Sequence, residues 1–264
     1  MRIIIAILAI QLISFMAYSQ DFEVSPVRLF FNAEPGSSQV KTIVVKNHSN
    51  STNSFLLSVS DFALNSEGQR EYAPANSHKR SISNWMTISP TFFEIAPNGE
   101  QQISVSIQPP VDEFGSRWGT INVRTAVEKM TFEADKSLAA GMTVSPRILV
   151  DVFQTSQGVG QLNAKIDQLR EIESDDSTKR TFTALVTNNS DVIVQCKSYL
   201  ILSNMLTGQE TIYPAKTFES YPKHTLRVSF DLPANIEKGT YALAAILDYG
   251  STSTLEGTQI VIEY

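Results

Sequence analysis

Short runs in which apolar and polar residues alternate, separated by polar or Gly/Pro turns, cover most of the chain. A period of two places side chains alternately on the two faces of a β-strand. The pattern predicts, for example, a strand at 103–107 and another at 116–127 around Ile121 and Val123. Because no stretch keeps a convincing helical period beyond about two turns, the chain is predicted to be all-β.

The order of the runs predicts two domains. Residues 39–64 alternate, break at a polar Asn/Ser stretch and alternate again, which predicts a hairpin. The pattern starts afresh after 154–161, so two antiparallel β-sandwiches of about 100 to 135 residues are expected, at 20–155 and 156–264. Six strands are predicted in the second half, at 162–172, 179–190, 193–204, 224–236, 239–251 and 257–264.

The N-terminus has the composition of a secretory signal peptide. Arg2 precedes an apolar run from Ile3 to Ala17, and Ala17 and Ser19 are small residues at the positions that signal peptidase recognises. A retained membrane anchor is the alternative, but the run is about 15 residues where spanning needs roughly 20. We predict cleavage after residues 1–19, no membrane insertion of the mature protein, and a periplasmic location.

The charge and the cysteine content narrow the class of protein. Without Arg2 the chain has 20 basic and 27 acidic residues, a net charge of −7. No nucleic-acid partner is expected, since such binding calls for a clustered basic surface. Cys196 is the single cysteine and cannot form an internal disulfide, so packing has to stabilise the fold.

No motif in the sequence indicates catalysis or metal binding. His48, His78 and His224 lie far apart without partners at metal-ligand spacing, and we predict that they are surface residues. Neither a G-x-S-x-G elbow nor a phosphate-binding glycine loop occurs. We therefore predict no cofactor, no metal site and no enzymatic activity. An enzyme whose titratable pair is assembled only by folding stays as an alternative.

One charged residue interrupts an apolar row near the mature N-terminus. If FEVSPVRLFF at 22–31 is a single strand, Arg28 shares a face with Phe22, Val24 and Phe30. One interpretation is a surface arginine whose stem covers apolar neighbours while its guanidinium reaches water. The other is a binding role.

Several segments, taken together, resemble the periplasmic pilus-assembly chaperones of the PapD-like family. They are SPVRLFF at 25–31, WMTISPTFFEIAPNGEQQISVSI at 85–107, RWGTINVRT at 117–125 and ILDYGS at 246–251, the last similar to an Asn-Asp-Tyr-Gly signature of the family. The resemblance implies two immunoglobulin-like antiparallel β-sandwich domains set at an angle, with a cleft between them.

The resemblance also implies a mechanism. A pilus subunit that lacks its last strand exposes an apolar groove, and the chaperone fills this groove with a strand of its own. Two basic residues in the cleft grip the C-terminal carboxylate of the subunit. Arg28 matches the first of them, and Arg147 is the nearest candidate for the second. The family has a lysine there, but an arginine fork also binds a carboxylate.

The donated strand would be TVSPRILVDVF at 143–153, after a loop of about 14 residues. Its alternate positions Val144, Ile148, Val150 and Val152 share one face, as donation requires. An ordinary core strand is the alternative. An unpaired apolar strand also invites pairing with a second copy of the chain, which would give a self-capping dimer.

Asp248 matches an aspartate that joins a buried interdomain ion network in the family. The arginine expected at the end of the donated strand is missing, so either Asp248 is exposed or another base such as Arg117 pairs with it. A turn that simply ends a strand is the alternative for this segment.

The predicted function is a periplasmic chaperone that caps pilus, fimbrial or related surface-fibre subunits by strand donation, with an outer-membrane usher as a further partner. The alternative is an immunoglobulin-like scaffold or accessory protein of a cell-surface or secretion assembly. It would form a stable stoichiometric complex and hand nothing over.

Overall fold

The computed structural model describes residues 21–126, 146–156, 162–252 and 254–264. The predicted signal peptide at 1–19 and Val144 of the predicted donated strand lie outside these ranges. Within them the chain forms strands β1 to β18, numbered in chain order, and one short 3-10 helix at Ser83–Trp85. No helix in the described part of the chain has the length and apolar composition needed to cross a membrane.

Two facing sheets form the first sandwich. Every strand pair in it is antiparallel except β2 with β10, which is parallel. One sheet has the order β1 (Phe22–Ser25), β3 (Gln39–Asn47), β8 (Glu100–Ile107) and β6 (Met86–Ser89). The other has the order β2 (Arg28–Phe31), β10 (Arg147–Thr155), β9 (Ser116–Thr125), β4 (Asn53–Leu64) and β5 (Arg70–Pro74), with β7 (Phe92–Ile95) also paired to β4.

The core of the first sandwich is built from the alternate positions that the sequence pattern singles out. The inward side chains of β3, β8, β9 and β10 are completely buried, and each such aliphatic side chain contributes about 1.5–3 kcal/mol by leaving water. They are Ile43, Val45, Ile103, Val105, Ile107, Ile121, Val123, Val150 and Val152.

The first segment is not one strand, so the predicted position of Arg28 on an apolar row is wrong. β1 pairs with β3 in one sheet, whereas β2 pairs with β10 in the other. Pro26 has no N–H for a ladder and lies at the crossing between the two sheets. The alternation restarts after it, so Leu29 and Phe31 are buried while Arg28 and Phe30 face outward.

The predicted hairpin at 39–64 is also wrong. Its two strands exist as β3 and β4, but β3 pairs with β1 and β8, and β4 pairs with β5, β7 and β9. The connection crosses from one sheet to the other around Asn47, which is fully buried. Its Nδ2 donates to the carbonyls of Ser51 and Ile95 at 2.8 Å and 3.0 Å. Alternation predicts strands, but it does not specify which sheet each one joins.

The second sandwich begins with β11 and again has two sheets. One consists of β11 (Ala164–Ile172), β12 (Lys179–Asn188) and β16 (Thr225–Pro233). The other consists of β14 (Glu210–Ile212), β13 (Val194–Asn204), β17 (Thr240–Asp248) and β18 (Glu256–Glu263), with β15 (Lys216–Ser220) also on β13. The six strands predicted in this half are confirmed as β11, β12, β13, β16, β17 and β18.

Cys196 lies in the core of the second sandwich. Burial, with the charge of Asp248 as a smaller cause, raises the pKa of its thiol to about 12. The thiol is thus neutral and unreactive, and it packs as a small apolar side chain.

Candidate functional site at the junction of the two sandwiches

An aromatic cluster joins the two sandwiches. Phe62, Trp118 and Phe153 come from the first and Tyr221 from the second, and all four are nearly fully buried. The rings of Trp118 and Tyr221 meet edge to face with centroids 4.9 Å apart. We call this set (Phe62, Trp118, Phe153, Tyr221) the aromatic junction. Because it removes apolar surface of both sandwiches from water, it fixes how they meet.

Hydrogen bonds between the two sandwiches reinforce the aromatic junction. Ser116 N–H donates to the carbonyl of Asp191 at 2.8 Å, and Ile193 N–H donates to Ser116 Oγ at 2.8 Å. Gly115 has a φ of +87°, and a Cβ there would lie 2.5 Å from the Asp191 carbonyl oxygen. Only glycine therefore lets the two backbones approach so closely.

Three ion pairs also cross between the sandwiches. In each, an arginine meets a carboxylate at 2.6–2.7 Å. These pairs are Arg28 with Glu219, Arg80 with Asp191, and Arg227 with Glu67.

Arg28 lies at the start of β2, beside the aromatic junction. Its Nη2 donates to both carboxylate oxygens of Glu219, at 2.7 Å and 2.9 Å. Its guanidinium carbon lies 5.1 Å and 5.0 Å from the ring centroids of Phe30 and Phe153, which stack on each other. We call Arg28 and Glu219 the anchor pair. A cation held on aromatic faces and bound to a carboxylate is a preformed carboxylate site.

A second, more buried ion pair stands next to the anchor pair. Arg70 on β5 donates to the two oxygens of Asp151 at 2.8 Å and 2.7 Å, and its guanidinium carbon lies 4.5 Å from the Phe62 ring centroid. Burial lowers the pKa of Arg70, but the hydrogen bonds and the charge of Asp151 outweigh it and raise the pKa. Burial raises the pKa of the neighbouring Tyr221 hydroxyl, so Tyr221 stays neutral.

Strand β10 has neighbours on both edges over only part of its length. β9 pairs with it from Arg147 to Thr155, whereas β2 covers its other edge only from Asp151 to Gln154. Among the described strands, none covers that edge at residues 147–150, which we call the free edge. An open edge is the structural requirement for adding a strand from another chain.

The residues predicted for the donated strand divide into two groups. Val150 and Val152 are completely buried in their own sandwich, as an ordinary core strand would have them. Ile148 is only half-buried against that core and lies on the free edge.

The structure places the two predicted anchors at opposite ends of the free edge. Arg28 is the register partner of Asp151, at the end where β2 begins. Arg147 is exposed and lies four residues earlier in β10, which is about 13 Å along a strand.

Asp248 and Arg117 each bind partners within their own sandwich. Asp248 Oδ1 accepts from the Gly250 N–H at 3.0 Å. Arg117 donates to the carboxylate of Glu113 and to the carbonyl of Lys79. The interdomain ion pairs of the described residues are instead the three given above.

Sequence reasoning missed Glu219 and Asp191 as interdomain contacts, and Arg70 as the partner of Asp151. Glu219 lies in the polar segment of β15, and Arg70 starts the short edge strand β5. Both strands lack the apolar alternation that reveals a strand, so no local signal could have identified them.

The described part of the chain contains no cluster of His, Cys, Asp and Glu that could hold a metal ion. His48 is exposed, as predicted, whereas His78 and His224 are half-buried. The ring centroid of His78 lies 5.1 Å from that of Trp118. Burial lowers the pKa of His78, and its Nδ1 accepts the Arg80 N–H at 3.1 Å.

No protein-family model matches the sequence, and no curated protein matches it. Solved structures, in contrast, do match this chain. A chain from the chaperone–tip adhesin complex that is vital for synergistic activation of CFA/I fimbriae biogenesis is 10% identical, covers 92% of this chain and 98% of its own, and superposes with a TM-score of 0.50.

Two further structures are more distant in shape. The class 5 fimbriae chaperone CfaA is 11% identical over 91% of this chain and 98% of its own, with a TM-score of 0.47. A chain from the Salmonella enterica SafA pilin–SafB chaperone complex is 13% identical over 92% and 98%, with a TM-score of 0.42. The superposition with the first of these chains, at a TM-score of 0.50, confirms the predicted resemblance at the level of the fold, and the strands and sheets confirm the predicted all-β class with two sandwiches.

Proposed function

We propose that this protein is a periplasmic chaperone that caps pilus, fimbrial or related surface-fibre subunits by strand donation. The observation that carries the proposal is the free edge at residues 147–150 of β10. It ends where Arg28, the first residue of β2, pairs with Asp151. An incomplete subunit sandwich would pair its open edge with this edge through backbone hydrogen bonds.

The direction of β2 supports the assignment of Arg28 as the carboxylate anchor. β2 runs parallel to β10 and starts at Arg28. A client strand that pairs with the free edge and runs parallel to β10 would lie in line with β2, immediately before the first residue of β2. The C-terminus of the client strand then falls where β2 begins. An arginine at that point can bind the terminal carboxylate through charge-assisted hydrogen bonds.

The other predicted residues have a part in this proposal, although Arg147 is not proposed to bind the terminal carboxylate. Ile148, with Val144 before it, would supply the donated side chains, since Val150 and Val152 fill their own core. Arg147 would meet the client strand several residues before its terminus. The same free edge would let two copies cap each other when no client is bound, and an usher would receive the client.

Mild purification from the native periplasm tests the proposal. Tagged wild type, Arg28→Ala and Arg227→Ala would be compared, and co-purifying proteins would be identified by mass spectrometry. Arg227→Ala is the matched control, because it removes an interdomain ion pair of similar length and exposure away from the free edge. We expect a small β protein with an incomplete sandwich to accompany wild type and the control.

For Arg28→Ala we expect about tenfold less of that client, since one charge-assisted hydrogen bond contributes ~1.5 kcal/mol and 1.4 kcal/mol is tenfold. Equal client recovery with both variants would overturn the anchor role. A stoichiometric partner that persists with Arg28→Ala and is never handed over would favour the scaffold function instead.

A further inference from the structure

The carboxylate site at Arg28 already holds a carboxylate. Glu219 reaches it from β15 of the second sandwich, and its side chain is 22% exposed where that of Arg28 is 40% exposed. Gln195, the register partner of Glu219, donates to Glu219 Oε1 at 3.2 Å and so helps to orient it. Both contacts with Arg28 go through one nitrogen, Nη2.

We propose that Glu219 is an internal competitor that occupies the Arg28 site and has to be displaced by the carboxylate of a bound client. The inference rests on the proposed function, because it concerns the same anchor. Capture of a client would then exchange one Arg–carboxylate pair for another. The charge contact at Arg28 would fix where the client strand ends while contributing less net affinity than an arginine without an internal partner, which suits a protein that has to release its client.

The displaced carboxylate has a suitable place to go. A cavity of about 430 Å³ lies between the tip of the β4–β5 hairpin and strands β15 and β16, and Glu219 lines it. Arg70, Lys216 and Arg227 line the same cavity. A rotation of the Glu219 side chain away from Arg28 would keep its carboxylate among these cations. Displacement would therefore not leave the charge of Glu219 in an apolar environment.

A purely structural role for Glu219 makes different predictions. If Glu219 only held the two sandwiches together, its neutralisation would lower stability and leave client affinity unchanged or weaker. If it competes, its neutralisation frees Arg28 and strengthens binding. The competing role also requires Arg28, so the gain has to disappear when Arg28 is removed.

The test uses the full mature chain and a defined probe. The probe is a short N-acetylated peptide of alternating valine and threonine, with lysines at its N-terminal end and a free C-terminal carboxylate. A version with a C-terminal amide is its control. Binding would be measured by fluorescence anisotropy for wild type, Glu219→Gln, Arg28→Ala and the double variant. Asp191→Asn, which neutralises the carboxylate of the Arg80 pair, is the matched control, and thermal unfolding would verify that each variant folds.

We expect Glu219→Gln to bind the carboxylate peptide about two- to fivefold more tightly, the range expected for a partly exposed ion pair. Its affinity should also fall more steeply with salt than that of wild type, because binding then creates an ion pair instead of exchanging one. Asp191→Asn should match wild type, and the double variant should match Arg28→Ala.

The outcomes separate this inference from the proposed function. If wild type binds the carboxylate peptide more tightly than the amide peptide but Glu219→Gln binds it no more tightly than wild type does, Glu219 is not a competitor. The role of Arg28 as the anchor would then stand. A gain for Glu219→Gln that persists in the double variant would also overturn the competitor role of Glu219. If no variant binds either peptide, the competitor and the proposed strand donation fail together.

Discussion

On one side of the junction between the sandwiches, Trp118 and Tyr221 pack edge to face and are each less than a tenth exposed. On the other side, Arg28 and Glu219 meet with 40% and 22% of their side chains exposed. The first contact derives its free energy from buried area, which water does not screen. The second derives it from charge, which water and salt weaken. The buried side is suited to holding the sandwiches together, and the charged side is suited to contacts that exchange.

Removing Trp118 should break the buried side and have the largest effect. Trp118→Ala empties a site that is 4% exposed and leaves the Phe62 carbonyl without the Nε1–H that it accepts at 2.9 Å. We expect a loss of about 3–5 kcal/mol in the free energy of unfolding, measured by urea titration. Phe30→Ala is the control, because Phe30 is 54% exposed. A Trp118→Ala loss no larger than that of Phe30→Ala would contradict the assignment.

The hydrogen bonds of the buried side should matter less than its apolar contacts. Ser116→Ala removes the acceptor of the Ile193 N–H across the junction, and also the Thr155 hydroxyl partner at 2.7 Å. A part-buried donor left without an acceptor costs about 1–3 kcal/mol. We therefore expect an intermediate loss in urea titration, with Ser54→Ala, which removes only an exposed hydrogen bond to Glu94, as the control. A loss equal to that of the control would show that water replaces the missing oxygen.

The fold was largely predictable because it depends on local pattern. The period-two runs that became β8, β9, β11, β12, β13 and β16 to β18 are visible in the sequence, since each has one face in a core. The assignment of β3 and β4 to different sheets was not predictable. It depends on where the chain crosses at Asn47, and both sheets accept the same alternation.

The site was less predictable than the fold. Arg28 stands out in the sequence because it is charged within an apolar segment, and its predicted carboxylate-binding role came from the family resemblance. Its partner Glu219 is 191 residues away in a short polar strand. Long-range charge pairing leaves no periodic signal in one sequence, so only the folded structure brings Glu219 to Arg28 and Asp191 to Arg80.

The smallest effect should come from an ion pair on the exposed side that does not contact Arg28. Glu67→Gln removes the carboxylate that Arg227 meets at 2.6 Å, where the two side chains are 46% and 37% exposed. Exposed pairs contribute about 0.2–1 kcal/mol, so we expect a loss near the lower end in urea titration, shrinking as salt is added. The Arg227 N–H to Ser66 carbonyl bond at 2.8 Å persists and keeps the hairpin tip in contact. A salt-independent loss comparable to that of Ser116→Ala would show that this ion pair is structural, and the division of the junction into a permanent buried side and an exchangeable charged side would then be wrong.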